Sequence, residues 1–192
     1  MSNAIAQHRA GPRRVRVTSG GYTLIEVLVV IVILGICGAM VIPSMGSTGV
    51  LKVQGALRQI VSDITFAQSD AVAFQEKRAV CFDTTNSSYS LVQVPGNTID
   101  LVANTMYDPT RSGGKWLISF PNDPRMGDAR ITSADFGGGS KNLIFDGMGG
   151  VIADPGSNNP GPGGTVKVTG SGSSWTITVE AFTGRVTVAQ DP

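Results

Sequence analysis

The sequence is poor in the residues that most often build catalytic and metal sites. It contains one histidine, His8, and two cysteines, Cys37 and Cys81, among 192 residues. His8 precedes a long apolar run, so the rest of the chain offers no Ser-His-Asp or Cys-His arrangement and no zinc-binding spacing. Cys37 lies inside the apolar run and Cys81 in a predicted strand beyond it, so an internal disulfide is not expected. We therefore expect a protein that is not an enzyme and that holds no metal and no cofactor.

Acidic residues are absent from the N-terminal segment, which is basic. Before Gly21 the chain has four of its 15 basic residues and no acid. These are Arg9, Arg13, Arg14 and Arg16. Beyond this segment the 14 acidic residues outnumber the bases, and the rest of the chain carries a net charge of −3. A basic head on a mildly acidic body is not typical of a general nucleic-acid binder.

A long apolar run follows the basic segment. The range 22–42 comprises 21 residues, of which Glu26 is the only charged one. A helix of this length spans the roughly 30 Å hydrocarbon core of a bilayer, so we predict a membrane-spanning helix half at 22–42. The arginines ahead of it should remain in the cytoplasm, which predicts that the C-terminal body crosses the membrane.

Two other targeting signals fit this segment poorly. An ordinary secretory signal has an apolar core of about 7–15 residues and a small-x-small cleavage site. The run here is longer, and it ends in "GAMVIPSMGS" without a good site of that kind. A lipoprotein signal needs a small residue immediately before its cysteine, whereas Ile36 precedes Cys37. The remaining option is cleavage ahead of the apolar run.

The stretch "SGGYTLIEVLVVIVILGI" resembles the N-terminal signal of type IV pilins and type II secretion pseudopilins. The resemblance implies a leader, 1–21, that prepilin peptidase removes between Gly21 and Tyr22 before methylating the new amine of Tyr22. Glu26 then corresponds to the glutamate at the fifth mature position. Tyr22 replaces the usual phenylalanine but keeps an aromatic ring of similar size. The leader is longer than in many pilins, which fits pseudopilins and minor pilins better.

The carboxylate of Glu26 has two interpretations. Ionisable groups inside a membrane span cost several kcal/mol when unpaired and tend to be functional. Cleavage would create an α-ammonium group on Tyr22, one helical turn away. The family resemblance implies that Glu26 pairs with this amine or with the amine of a neighbouring subunit that enters a filament. The alternative is a side chain near the interface that reaches water.

A break and a second helix follow the apolar run. The range 43–49, "PSMGSTG", begins with Pro43, which removes a backbone donor, and it contains two glycines. From Val50 apolar residues recur at spacings of three and four, with charged residues between them, so we predict an amphipathic helix over 50–78. Pilin-like proteins often bend at such a proline, and a plain linker would predict the same bend.

Beyond Arg78 the pattern is that of strands. Apolar or alternating runs such as "SYSLVQV", "SWTITVE" and "GRVTVAQ" predict an antiparallel body over 79–192. The glycine- and proline-rich range Gly147–Gly164 is predicted to be a flexible loop. Its aspartates and asparagines do not alternate as calcium ligands do, so a solvated loop is favoured and calcium binding stays open. The predicted fold class is α+β: one long helix packed on an antiparallel β body, with the helix 50–78 and the strands forming a single body, 50–192.

The body also resembles a narrower group, the GspH/FimT minor pseudopilins and minor pilins. The resemblance rests on "LRQIVSDITFAQSDAVAFQEKRAVCFD", on "IFDGMGG" and on the terminal "GRVTV". The resemblance implies a body in which the long helix packs on two small sheets. It also implies a structural subunit in the inner membrane, with a cytoplasmic N-terminus and a periplasmic body, that joins or primes a pseudopilus or type IV pilus. Its expected partners are prepilin peptidase and other pilin-like subunits. The sequence does not tell which machine, secretion, pilus or competence, the subunit serves.

Two other functions are compatible with parts of the sequence. One is a DNA-binding minor pilin for DNA uptake, and the other is a plain single-pass anchor for a periplasmic binding domain. A DNA-binding pilin needs clustered bases, because lysines and arginines supply most of the nonspecific affinity for DNA. Here the tail "RVTVAQDP" has a single base, Arg185, and an acid, Asp191. We therefore expect no nucleic-acid partner.

Overall fold

The computed structural model describes residues 20–41, 48–111 and 113–192. The chain divides into two compact units, Met1–Met45 and Gly46–Pro192. The first contains helix α1, Leu24–Val41, and the second contains helix α2, Thr48–Phe74, and all the strands. Pro43 and most of the predicted break at 43–49 lie outside the described residues, as does nearly all of the predicted leader.

Helix α2 is amphipathic, and its apolar face lies in the core of the body. The buried positions recur every three or four residues, which is the spacing of one face of a helix. They are Val53, Ala56, Leu57, Ile60, Ile64, Ala67 and Ala71. This face packs against strands of both sheets, so α2 is the element that joins the two halves of the body.

The helix ends four residues before the predicted end at Arg78. Gln75 adopts a left-handed backbone conformation with φ of 54°. The N–H of Glu76 donates to the carbonyl of Ala71 at 3.2 Å, and the N–H of Gln75 donates to that of Val72 at 3.4 Å. This pair of bonds is the Schellman arrangement that closes helix C-termini. Glycine usually occupies the left-handed position, and its replacement by glutamine hid the helix end in the sequence.

Five strands form the first sheet, in the order β3-β2-β1-β5-β6. They are β1 (Lys77–Asp83), β2 (Ser88–Val94), β3 (Leu117–Ser119), β5 (Asn142–Phe145) and β6 (Val151–Ile152). All neighbours are antiparallel. One face of this sheet packs on α2, and the opposite face buries a smaller apolar cluster that includes Cys81.

Four strands form the second sheet, in the order β4-β7-β8-β9. They are β4 (Arg130–Asp135), β7 (Gly163–Gly170), β8 (Ser173–Glu180) and β9 (Val186–Gln190). This sheet is also antiparallel throughout. Ile177 and Val179 of β8 point into the core, as the alternation in "SWTITVE" predicted. The α+β architecture with one helix on two small antiparallel sheets is thereby confirmed.

Two strands were not predicted from the sequence. In β4 a bulge between Ile131 and Ser133 shifts the register, so the buried residues Ile131 and Ala134 are three positions apart. This spacing removes the period of two by which a strand is recognised. Strand β6 has only two residues and lies inside the predicted flexible loop, where glycines and prolines mask it.

The range Gly147–Gly164 has more regular structure than a flexible loop. The carboxylate of Asp146 accepts hydrogen bonds from the N–H groups of Met148 at 2.9 Å and Gly150 at 2.8 Å. Asp154 organises a second turn by accepting from the N–H of Gly156 and the hydroxyl of Ser157. These aspartates are used as turn acceptors within the chain.

A buried polar network lies between α2 and β2. The hydroxyl of Tyr89 donates to Asp63 at 2.6 Å, and the amide of Gln59 donates to the other carboxylate oxygen of Asp63 at 2.9 Å. Burial raises the pKa of Tyr89 well above its usual value, and the nearby charge of Asp63 raises it further. The phenol therefore remains a hydrogen-bond donor at neutral pH. Its hydrogen bond to Asp63 stabilises the packing of α2 against the first sheet.

We predict that Tyr89→Phe destabilises the body by about 1–3 kcal/mol, because it leaves a buried carboxylate oxygen of Asp63 without its donor. The measurement is urea unfolding followed by tryptophan fluorescence. Tyr107→Phe is the matched control, because the side chain of Tyr107 is 73 % exposed. Equal unfolding midpoints for Tyr89→Phe and the wild type would show that the network adds nothing to stability.

Candidate processing and assembly site

The predicted cleavage site lies just outside helix α1. Residues 20–23 have no helical or strand structure, and the helix begins at Leu24. Among the described residues other than the immediate chain neighbours, no atom lies within 4 Å of the position where a side chain would start at Gly20 or at Gly21. Tyr22 is 83 % exposed. Within the part of the chain that the structure describes, the peptide bond between Gly21 and Tyr22 is therefore uncovered and outside the helix.

Thr23 and Glu26 form a capping box at the start of α1. The N–H of Glu26 donates to the hydroxyl oxygen of Thr23 at 3.3 Å, and the N–H of Thr23 donates to the carboxylate of Glu26 at 3.5 Å. Such reciprocal bonds satisfy two donors that a helix N-terminus would otherwise leave without partners. The acid also lies at the positive end of the helix dipole. This capping role of Glu26 was not predicted from the sequence.

The Glu26 carboxylate can accept hydrogen bonds in addition to the one from Thr23. Its contact with Thr23 is at the long limit of a hydrogen bond, so the carboxylate can accept further and stronger donors. The Tyr22 nitrogen precedes the capping residue by one position. If the chain begins at Tyr22, that nitrogen is an ammonium group, which forms a charge-assisted bond to carboxylate more strongly than a neutral amide does.

Helix α1 is apolar around its whole circumference. Its large apolar side chains from Leu24 to Ile36 expose between 46 and 85 % of their surface. A soluble helix normally buries one apolar stripe, so an all-round apolar surface needs lipid or neighbouring helices to cover it. Among the described residues, no helix is both long enough and apolar enough to cross a membrane.

The side chain of Gln68 connects two turns of the body, one in "DGMGG" and one beside the terminal "GR". The side-chain amide of Gln68 on α2 donates to the carbonyl of Gly149 at 2.7 Å and to that of Thr183 at 2.8 Å. Gly149 belongs to "DGMGG" and Thr183 precedes the terminal "GR". One helix side chain therefore ties together the β5–β6 and β8–β9 turns. Gln68 was not predicted from the sequence, because contacts made by a single side chain leave no periodic pattern.

Gly184 is required by this contact. Its φ is +63°, a conformation that side chains disfavour, and a Cβ there would lie 2.6 Å from the amide nitrogen of Gln68. The same Cβ would approach the ring of Phe145 at 2.8 Å. Glycine is therefore favoured at position 184 for two reasons: the backbone conformation of the turn, and the close packing of Gln68 and Phe145.

The bases of the C-terminal region are paired with acids within the chain. Arg185 bonds Glu180, and Lys167 lies 3.3 Å from Asp191. Hydrogen bonds from Thr176 and Ser174, followed by the interaction with Lys167, lower the pKa of Asp191. In the same way, the hydrogen bond from Arg185 lowers the pKa of Glu180. These pairs offer no cluster of uncompensated positive charge around β9.

The described residues contain no group of histidine, cysteine, aspartate and glutamate side chains arranged to hold a metal ion. Cys81 is buried in the outer cluster of the first sheet. Burial raises the pKa of its thiol to about 12. The thiolate that nucleophilic chemistry requires is therefore disfavoured at neutral pH.

The fold and two family matches together indicate a pilin-like subunit. Residues 17–42 match the family described as the prokaryotic N-terminal methylation motif, and residues 56–184 match the family described as type II transport protein GspH. The second match covers more than half of the chain. The chain therefore belongs to the GspH family.

Solved structures with the same fold include a minor pseudopilin, EpsH, from the type 2 secretion system of Vibrio cholerae. Its identity to this chain is 9%, its TM-score is 0.50, and the match covers 72% of this chain and 97% of that chain. The type IV minor pilin FimU of Pseudomonas aeruginosa matches with 13% identity and a TM-score of 0.43, over 73% of this chain and 88% of that chain. A comparison with curated protein sequences found no match.

We predict that Gln68→Ala destabilises the body by about 1–2 kcal/mol, because two carbonyl groups lose one shared donor. Gly184→Ala should cost more, since it adds backbone strain and a steric conflict to the same contact. Urea unfolding measures both effects. Ser69→Ala is the control on the same helix, because the Ser69 hydroxyl bonds only a carbonyl of its own helix, that of Thr65. A Gln68→Ala variant as stable as Ser69→Ala would show that the two hydrogen bonds of Gln68 do not stabilise the body.

Proposed function

We propose that this protein is a minor pseudopilin or minor pilin, a structural subunit that joins or primes a filament of the type II secretion or type IV pilus kind. The observation that carries the proposal is the combination of two features in one chain. A match to the N-terminal methylation motif that includes an exposed apolar helix precedes a body of the GspH family. Either feature alone would fit other membrane-anchored or secreted proteins.

Processing is proposed to occur between Gly21 and Tyr22, with prepilin peptidase as the enzyme and methylation of the Tyr22 amine as the second step. The capping box supports this site, because it starts the helix at Leu24 and leaves residues 20–22 outside it. A peptidase that binds its substrate in an open conformation does not need to unwind α1 there. Gly21 adds a backbone without a side chain at the scissile bond.

Anchoring in the inner membrane is proposed for α1, with the N-terminus in the cytoplasm and the body in the periplasm. The support is the exposed apolar surface of α1 and the four arginines that precede it in the sequence. The orientation follows from the preference of arginine-rich flanks for the cytoplasmic side. The body has its own apolar core, so it can fold outside the membrane.

Glu26 is proposed to pair with the N-terminal amine of a neighbouring pilin-like subunit during assembly. An unpaired carboxylate among apolar helices is costly, and an ammonium group of opposite charge is the partner that removes the cost. Each subunit carries one such acid and, after cleavage, one such amine. The pairing can therefore repeat from one subunit to the next along a filament.

DNA uptake remains unsupported as an alternative function. A phosphate-binding surface needs several bases free to neutralise phosphates. Around β9, Arg185 and Lys167 are each bonded to an acid of the same chain. The family match is also to a transport protein family. We propose other pilin-like subunits and the membrane as partners, and no nucleic acid.

We predict that Gly21→Leu blocks cleavage in a host with prepilin peptidase, because a bulky side chain is placed at the scissile bond. Gly35→Leu is the matched control, since Gly35 lies in the middle of α1 and also has open space around it. Immunoblotting should show the full-length precursor for Gly21→Leu and the shortened form for Gly35→Leu. Normal processing of Gly21→Leu would contradict the proposed site.

We predict that Glu26→Gln lowers crosslinking to other pilin-like subunits by at least about tenfold, which corresponds to a loss of 1.4 kcal/mol or more in pairing. Glutamine preserves the capping box but removes the charge, so this variant separates the two roles of Glu26. Cleavage and membrane insertion should persist. The control is Glu76→Gln, an acid outside α1 whose side chain is 56 % exposed. Wild-type crosslinking by Glu26→Gln would show that Glu26 acts only as a cap.

A further inference from the structure

The outer face of the first sheet, which is the face away from α2, has an apolar half and a polar half. The apolar half is the smaller cluster that includes Cys81. Beyond Cys81 the residues that alternate onto this face are polar: Asp83, Ser88, Ser90 and Asn142. Strand pairing places Ser90 opposite Cys81 and Ser88 opposite Asp83. These polar side chains are therefore neighbours on one surface.

A cavity lies on this polar half. Its volume is about 340 Å³, which falls in the range of small-molecule binding sites. The polar side chains of the sheet line one side, and Leu101, Val102 and Leu117 line the other. The segment that carries Leu101 and Val102 is held in place. Asp100 accepts a hydrogen bond from the N–H of Val102 at 2.8 Å, and the ammonium group of Lys115 donates to the carbonyl of Val102 at 2.9 Å.

Two serine hydroxyls at this cavity are buried without a partner. Ser88 and Ser90 are 9 % and 7 % exposed, and both line the cavity. Within the part of the chain that the structure describes, no hydrogen bond joins either hydroxyl, or the side-chain amide of Asn142, to another protein group. Buried polar groups are nearly always hydrogen-bonded, and an unpaired one is costly. A ligand that fills the cavity must therefore supply partners for these groups.

The charged groups at the rim already have partners. The carboxylate of Asp83 accepts from the side-chain amide of Asn86 at 2.6 Å and from the N–H of Thr85 at 2.9 Å. The bond from the Asn86 side chain is the main cause that lowers the pKa of Asp83. Lys115 directs its ammonium group to the carbonyl of Val102. The cavity therefore offers neutral hydrogen-bonding groups rather than a charge that would select an ion.

We propose that this cavity binds a neutral polyhydroxylated ring, a single sugar residue in the pyranose form. The sugar hydroxyls bond Ser88, Ser90 and Asn142, and the C–H face of the ring packs on Leu101 and Leu117. A serine hydroxyl and a carboxamide each donate and accept, which matches a sugar hydroxyl that does both.

Other classes of ligand fit the cavity less well. A purely apolar ligand would leave the hydroxyls of Ser88 and Ser90 unpaired. A charged ligand would lose water without gaining an opposite charge. A ring with polar groups at its edge and an apolar face satisfies both sides of the cavity at once. Because the site is built by the body alone, it depends neither on cleavage at Gly21 nor on assembly through Glu26.

The test is saturation-transfer NMR on the full-length chain, in a detergent without a sugar head group. The probes are the methyl pyranosides of glucose, galactose, mannose and N-acetylglucosamine. At least one should bind with a Kd in the millimolar range, as expected for a ligand of about a dozen non-hydrogen atoms. Cyclohexanol is the chemical control, because it has a ring of the same size with one hydroxyl. It should bind at least about fivefold more weakly, since it leaves buried hydroxyls unpaired.

Two variants locate the binding site. Ser90→Ala should weaken binding of the best sugar at least about fivefold, because it removes one buried hydroxyl. Leu101→Ala should weaken it about threefold, because it removes apolar contact surface. Leu101 is 53 % exposed, so this second variant leaves the core intact. The matched controls are Ser69→Ala and Leu51→Ala on α2, which should bind as the wild type does.

Thermal unfolding of each variant separates lost binding from lost folding. Three results would overturn the proposal. The first is that no methyl pyranoside binds, and the second is that cyclohexanol binds as tightly as the best sugar. The third is that folded Ser90→Ala and Leu101→Ala both bind that sugar with wild-type affinity.

Discussion

Helix α1 has an apolar surface on every side, and the rest of the proposed function follows from how that surface is covered. Side chains as far apart as Leu24 and Ile36 are more than half exposed. Burial of such surface contributes about 25 cal/mol per Å², so lipid or other helices are strongly preferred to water. In those surroundings one carboxylate, Glu26, dominates the local electrostatics. The amine released by cleavage is the group best suited to neutralise it.

The capping box gives the same carboxylate a role before assembly. In the uncleaved chain Glu26 bonds the N–H of Thr23 and fixes the first turn of α1. This keeps Tyr22 and Gly21 outside the helix. In the proposed function, a single short motif, "YTLIE", connects helix initiation, processing and subunit pairing. The body contributes a separate constraint, since Gln68 holds its two sheets to α2 through two turn carbonyls.

Much of this arrangement is predictable from local patterns. The apolar run, the amphipathic period of α2 and the alternation in β7 and β8 depend on neighbouring residues, and the sequence shows them directly. The missed features depend on contacts between distant residues or on unusual residue choices. Gln75 ends α2 where glycine is expected, the bulge after Ile131 hides β4, and Gln68 acts through two single hydrogen bonds. The ion pair between Arg185 and Glu180 was also missed, because it depends on the turn between β8 and β9.

The central claim is that Tyr22 becomes a methylated N-terminus four residues before Glu26. Intact-mass and N-terminal fragment analysis of the protein purified from membranes of a host with prepilin peptidase tests it most directly. The account predicts a chain that begins at Tyr22 and carries one methyl group on its α-amine. An unprocessed chain, or a mature chain that begins after the apolar run at Ile42, would contradict the account.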